Sequence, residues 1–214
     1  MLATEVIYWW LLARPRLALE DRLRQISPLT FYLVPTPYLI RFMIIAAYIA
    51  ITGAPVLAGL VANLPAGLAV GIALAGAQLP ILIRVPPAWP AAPRERLEVV
   101  IFLGYALFAI ALVEELIFRG ALLLALGDGL VALVGSSVAM AAWHVPYYVT
   151  TLGVTRLDRL ARSMALITTV SLVFGVAVTA TGSLWSSIIP HGSGDFLGHL
   201  PRRRLHQPVA SDDD

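Results

Sequence analysis

Residues 99–126 read VVIFLGYALFAIALVEELIFRGALLLAL, a long apolar run that contains Glu114, Glu115 and Arg119. About 20 mostly apolar residues in a helix cross the hydrocarbon layer of a bilayer, which is roughly 30 Å thick. The run therefore predicts a membrane-spanning helix. Ionisable side chains inside such a helix are costly and usually face partners or water, so these three residues mark a candidate functional site.

The composition of the whole chain supports a membrane protein. Of 214 residues, 59% are hydrophobic and 13% are charged, and the mean hydropathy is +0.82. Soluble domains carry roughly 25% charged residues, and disordered chains are poor in hydrophobic ones, so both classes are excluded. The absence of cysteine excludes disulfides and thiol chemistry. All 15 basic residues are Arg and the net charge is only +2, which gives no support for a nucleic-acid partner.

Hydropathy predicts an all-α, polytopic transmembrane bundle of about six spans. The predicted spans are 38–62, 66–83, 99–126, 130–149, 164–181 and 184–200. Before them, residues 1–37 form a predicted interfacial and cytoplasmic segment, because no stretch there is both long and apolar enough to span. Residues 38–98 then hold two accessory transmembrane helices and a polar loop, and residues 201–214 form a polar tail. In the second span, the spacing of Gly67 and Gly71 would let a neighbouring helix approach closely, although the small-residue content of any Gly/Ala-rich membrane helix explains it equally well.

Arginine positions give an independent test of this topology, because short cytoplasmic loops are enriched in basic residues. With six spans, one side of the membrane collects thirteen arginines and the other collects none. The thirteen are Arg14, Arg16, Arg22, Arg24, Arg84, Arg94, Arg96, Arg156, Arg159, Arg162, Arg202, Arg203 and Arg204. The sequence therefore predicts a multi-pass cell-membrane protein with both termini in the cytoplasm.

Six ionisable residues lie inside the last four predicted spans, apart from His199 at the membrane edge. They are Glu114, Glu115, Arg119, His144, His191 and Asp195. Glu115 and Arg119 are four residues apart on one helix face and are expected to pair, whereas Glu114 is rotated by about 100° and is left for chemistry. At 1.5 Å per residue, Glu114, His144, Asp195 and His191 lie at depths of about 18, 21, 17 and 11 Å. Groups from three helices within one narrow band predict a single site.

This set of residues supports two kinds of chemistry. A carboxylate and an imidazole around a water can take its proton and direct the oxygen at a carbonyl, while a second imidazole stabilises the oxyanion. Alternatively, one Glu and two His, here Glu114, His144 and His191, can hold a divalent metal such as zinc. The sequence contains no HExxH helix, so a conventional zincin is excluded.

Three motifs resemble those of the CPBP family, which includes the CAAX prenyl endopeptidases and the bacterial Abi membrane proteases. Glu114–Gly120 reads EELIFRG and is similar to the EExxxR motif of the family. The other two are Met140-x-x-x-His144, where the family usually has Phe first, and His191-x-x-x-Asp195, where it has Asn or Asp. They follow in the expected order on consecutive segments, and the resemblance covers about residues 99–200.

The resemblance implies an intramembrane endopeptidase with a four-helix catalytic core at 99–200. By this comparison, Glu114 and His144 activate water, His191 and Asp195 stabilise the oxyanion or help bind a metal, and Glu115 and Arg119 form a supporting pair. The implied partners are membrane lipid and a peptide or membrane-protein substrate, and the oligomeric state stays open. Two alternatives also stay open: a transporter or proton relay, and a non-proteolytic bacteriocin-immunity or scaffold protein of the same family.

Overall fold

The structure is a computed structural model that describes residues 55–82, 96–127, 129–150 and 156–199, with isolated helical positions between 43 and 50. In these ranges all regular structure is helical and no strand occurs, which confirms the predicted all-α bundle. The predicted interfacial segment 1–37 and the tail 201–214 lie outside the described residues. So does part of the first predicted span, 38–62.

Six helices make up the described part of the chain. Helix α3 is continuous over residues 96–126 and consists of five segments, Arg96–Gly104, Tyr105–Ala111, Leu112–Glu115, Leu116–Leu122 and Leu123–Leu126. The other five helices are α1 (Pro55–Val61), α2 (Leu64–Leu82), α4 (Leu130–Thr150), α5 (Leu157–Thr181) and α6 (Trp185–His199).

Four of these helices are long and apolar enough to cross a membrane: Leu64–Leu82, Val99–Leu126, Leu130–Val149 and Leu157–Thr181. The predicted count of about six spans is therefore not confirmed, although a helical membrane bundle is. The last predicted span corresponds to α6, which has 15 residues and is shorter than a full crossing.

The start of α5 differs from the prediction. The sequence placed a loop at 150–163 because of its arginines, but α5 begins at Leu157 rather than at residue 164. Residues 157–163 therefore add polar turns at the start of α5. An ion pair between Arg162 and Asp158, 2.9 Å long and four residues apart, stabilises these turns as a helix. Asp158 also lies in the first turn of α5, where a negative charge interacts favourably with the helix dipole and stabilises the helix.

Helix α3 lies at the centre of the bundle, because every residue from Val113 to Gly120 is buried. Two π-helical segments, Tyr105–Ala111 and Leu116–Leu122, flank the short α-helical segment that ends at Glu115. Wide π turns are frequent at functional sites. Protein therefore surrounds this level of the helix, and both adjacent carboxylates face other helices rather than lipid.

The α1–α2 turn and the α5–α6 turn lie at the same end of the bundle. Asn63 Nδ2 donates to Thr181 O at 2.9 Å, and Trp185 Nε1 donates to Leu60 O at 2.8 Å. Since both helices start at this end, α2 and α6 run parallel along their contact. The α1–α2 and α5–α6 connections therefore lie on the same side of the bundle, as the topology prediction requires.

The close approach of a neighbouring helix to Gly67 and Gly71 is confirmed, and the neighbour is the beginning of α6. A Cβ added at Gly71 would lie 2.6 Å from the main-chain oxygen of Trp185, and one at Gly67 would collide with Ser183. Only glycine allows this contact, so the two glycines fix the position of α6. This in turn sets the height of His191 in the bundle.

Candidate active site

The structure brings the six predicted site residues together at the level of the buried part of α3. Helix α3 provides Glu114, Glu115 and Arg119, α4 provides His144, and α6 provides His191 and Asp195. They form one chain of contacts, with separations between 2.7 and 3.8 Å. Side chains of three separate helices thus meet at a single polar centre.

Glu115 is fully buried and pairs with two positively polarised groups. Its Oε1 accepts from Arg119 Nη1 at 3.0 Å and from His191 Nδ1 at 2.7 Å. The pairing with Arg119 is the contact that the four-residue spacing predicted. The pairing with His191 joins α3 to α6 and was not predicted, because sequence spacing placed His191 beside Asp195 alone.

Ser171 on α5 is a member of the site that the sequence did not reveal. Arg119 Nη2 donates to Ser171 Oγ at 2.6 Å and to the main-chain oxygen of Ser171 at 3.0 Å. Arg119 is 2% exposed, so these hydrogen bonds link α3 to α5 inside the bundle. A single serine in an apolar span does not stand out in the sequence, since serine is common in membrane helices.

Glu114 has a different environment from its neighbour. Its Oε1 accepts from Trp143 Nε1 at 3.3 Å. Its Oε2 lies 3.8 Å from His144 Nε2 and 3.7 Å from His191 Nε2. One carboxylate oxygen of Glu114 therefore accepts a hydrogen bond from an indole N–H, and the other faces two imidazoles. Trp143 was also not among the predicted site residues, although a buried indole N–H generally needs a hydrogen-bond acceptor.

Hydrogen bonds fix which ring nitrogen of each histidine carries hydrogen. His144 Nδ1 lies 2.8 Å from Met140 O, and a carbonyl can only accept, so Nδ1 carries the hydrogen. Neutral His144 therefore presents the lone pair of Nε2 to Glu114. His191 Nδ1 likewise donates to Glu115, which leaves its Nε2 directed towards Glu114 and Asp195.

His191 is the residue through which the site is connected. Glu115, Asp195 and Glu114 lie 2.7, 3.6 and 3.7 Å from its ring nitrogens. Three carboxylates around one imidazole favour a positive charge on it by Coulomb attraction. The ring of Phe174 lies beside it, with centroids 6.3 Å apart, and keeps one side of the imidazole apolar.

The site opens into a cavity of about 300 Å³ between α2, α4, α5 and α6. This is the lower end of the range for small-ligand pockets. Polar groups of the wall include His144, His191 and Asp195, and apolar groups include Leu166 and Val170. Both imidazoles therefore lie in the wall of a cavity that is otherwise largely apolar.

The metal alternative requires three side chains at ligand distance from one ion. Among the described residues, no group of three His, Asp or Glu side chains meets that condition. The separations of 3.8 and 3.7 Å around Glu114 Oε2 also exceed the about 3.4 Å between ligand atoms of a tetrahedral zinc. In this arrangement Glu114, His144 and His191 do not have the spacing of a metal site.

Fold and site together define a multi-pass helical membrane protein with a buried carboxylate–imidazole centre beside a cavity. Residues 96–197 match the family model described as type II CAAX prenyl endopeptidase Rce1-like. The resemblance to the CPBP and CAAX protease family is thereby confirmed for residues 96–197. The family implies a protease with a peptide or protein substrate in a membrane. No curated protein and no solved structure gives a significant match to the chain.

Proposed function

We propose that this protein is an intramembrane endopeptidase that hydrolyses a peptide bond of a membrane-associated peptide or protein, with Glu114 and His144 activating water. The observation that carries the proposal is the position of Glu114 Oε2, which lies within 3.8 Å of two imidazole Nε2 atoms at the wall of a cavity. The Rce1-like match of residues 96–197 supports the same reaction class.

The activation step follows from the 3.8 Å between Glu114 Oε2 and His144 Nε2. This separation is too long for a direct hydrogen bond, but one water oxygen can lie about 2.8 Å from both atoms. Both protein atoms are acceptors, so the water donates one hydrogen to each. Its lone pair is then free to attack the carbonyl carbon of the substrate while Glu114 takes a proton.

The negative charge that develops on the carbonyl oxygen needs a donor. His191 supplies it as an imidazolium, with Nδ1–H held by Glu115 and Nε2–H directed to the oxyanion. Asp195, 3.6 Å from Nε2, stabilises the positive charge of the ring and does not itself donate. Arg119 balances the charge of Glu115, which keeps that carboxylate in place as the partner of His191.

Collapse of the tetrahedral intermediate completes the reaction. The C–N bond breaks, and the proton held by Glu114 passes to the departing nitrogen, which leaves as an amine. The added water oxygen stays in the new carboxyl group, so one water is consumed for each bond cleaved. Glu114 is again a carboxylate at the end and can begin a second cycle.

The test is cleavage by purified protein in proteoliposomes of a mixed pool of internally quenched apolar dodecapeptides. Glu114→Gln keeps the size of the side chain and removes its basicity, so cleavage is expected to fall by about 10²–10⁴-fold. Asp158→Asn is the matched control, because this carboxylate is half exposed and pairs with surface arginines. Wild-type rates for Glu114→Gln would refute the role of Glu114 as the base. Absence of cleavage by the wild-type protein would instead leave a proton relay or a non-proteolytic scaffold as the function.

Metal dependence is tested separately on the same preparation. The mechanism above predicts that a chelator leaves the cleavage rate unchanged, while His144→Ala lowers it because the water loses one of its two acceptors. Loss of cleavage on chelation and recovery with zinc would contradict this mechanism. That result would instead make Glu114, His144 and His191 the ligands of a metalloprotease.

A further inference from the structure

Gln78 is the only side chain of α2 that carries a hydrogen-bonding group, in a helix that is otherwise built from Ala, Gly, Leu, Ile, Val and Pro. A primary amide inside the membrane costs free energy unless its groups are hydrogen-bonded. The family model matches residues 96–197, and α2 (Leu64–Leu82) lies outside that match. The motifs therefore do not account for this amide, and its position calls for a separate explanation.

The amide lies at the catalytic cavity. Gln78 is part of the cavity wall together with His191, Gly194 and Asp195 of α6. A Cβ added at Gly194 would lie 3.3 Å from Gln78 Oε1, so the amide is close to the main chain of α6. Because α2 and α6 pack in parallel, Gln78 lies beside Asp195 in the cavity wall. Asp195 is one helical turn beyond His191 on α6.

Gln78 Nε2 is buried and has no hydrogen-bond partner among the residues that the structure describes. A donor of this kind in a cavity wall indicates an acceptor that arrives with the substrate. We propose that Gln78 binds the substrate main chain, with Nε2 donating to a peptide carbonyl oxygen next to the scissile bond. This assignment rests on the proposed peptidase function and names a binding residue, not a further catalytic one.

Charge determines which acceptor fits. A carboxylate group of the substrate would face Asp195 in the same wall, and like charges in a poorly hydrated site repel strongly. Arg119, the guanidinium in the wall, already donates to Glu115 and Ser171. A neutral amide donor beside a carboxylate therefore selects a neutral carbonyl oxygen, as found within a chain rather than at its C-terminal end.

The experiment compares wild type with Gln78→Leu on the best-cleaved member of the dodecapeptide pool, using full-length protein in proteoliposomes. Loss of one neutral hydrogen bond is expected to raise KM about 2- to 12-fold with kcat unchanged, since the contact exists equally before and during the reaction. Thr169→Val is the matched control, because it removes a hydroxyl from an exposed position of α5. An unchanged KM, or a fall in kcat alone, overturns the assignment.

A second measurement compares substrates within each protein, so it does not depend on how much active variant is recovered. Each main-chain amide next to the scissile bond is replaced in turn by an ester, whose carbonyl is a weaker acceptor. One position should raise KM for wild type and leave it unchanged for Gln78→Leu. Equal effects in both proteins at every position would refute the contact. Cleavage that persists in Glu114→Gln would instead refute the peptidase mechanism, so the two failures are distinguishable.

Discussion

Removal of Arg119 tests the polar centre most directly, because this side chain joins three helices. It is buried and donates to Glu115 of α3 at 3.0 Å and to Ser171 of α5 at 2.6 Å. Glu115 in turn accepts from His191 of α6. Arg119→Ala therefore leaves a buried carboxylate without its main counter-charge and a buried serine hydroxyl without its partner.

The expected cost follows from these contacts. Breaking a buried ion pair by removing one partner costs about 3–5 kcal/mol. His191 continues to donate to Glu115 in the variant, so we expect a loss of about 3 kcal/mol, at the lower end of this range. Adding Glu115→Gln removes the uncompensated charge and should recover about half of the loss, because the amide oxygen still accepts from His191.

The measurement is the free energy of unfolding in mixed detergent micelles. The chain offers a matched control in Arg162→Ala, because Arg162 and Asp158 have the same four-residue spacing and a similar distance of 2.9 Å. The side chains of Arg162 and Asp158 are 75% and 50% exposed. Exposed ion pairs of this kind contribute only about 0.3–0.5 kcal/mol to the free energy of unfolding. Equal stability of Arg119→Ala and Arg162→Ala would refute the assignment of Arg119 as a buried cross-link.

Two further predictions concern the orientation of Glu114 and the topology. Trp143→Phe keeps the edge-to-face packing on Phe118, whose centroid lies 5.6 Å away, and removes the N–H that holds Glu114. It should lower kcat roughly 2- to 12-fold with unchanged melting, and a wild-type kcat would contradict this role. Reporter fusions at 84–98 and at the C-terminus should report the cytoplasm and a fusion at 127–129 the opposite side, because basic residues accumulate on the cytoplasmic side. A C-terminus found outside would contradict the arginine argument.

Local spacing was enough to predict the contacts made within one helix. Glu115 and Arg119 pair because residues four apart share a helix face, and this requires no knowledge of the neighbours. The same rule placed His191 near Asp195, at 3.6 Å. Helix existence was predictable for a similar reason, since about 20 consecutive apolar residues have few alternatives in a bilayer.

Contacts between helices were not predictable in the same way. Estimated depth placed His191 near the level of the glutamates but did not decide which carboxylate it would contact, because that depends on the rotation of α6 about its axis. In the structure, His191 Nδ1 contacts Glu115 Oε1 at 2.7 Å. Ser171, Trp143 and Gln78 were missed for another reason, since these side chains carry no charge and belong to none of the three motifs.

The two adjacent glutamates show how one sequence motif can provide two different functional groups. Consecutive residues of a helix point about 100° apart, so identical side chains face different neighbours. Glu115 accepts from a guanidinium and an imidazole, which hold its negative charge in place. Glu114 instead accepts from the indole of Trp143, and its other oxygen faces Nε2 of His144 and of His191, at distances that one water can bridge. In the proposed mechanism the chemistry therefore depends on the helices that surround α3, and exchanging the roles of the two carboxylates would require moving α4 and α6 as well.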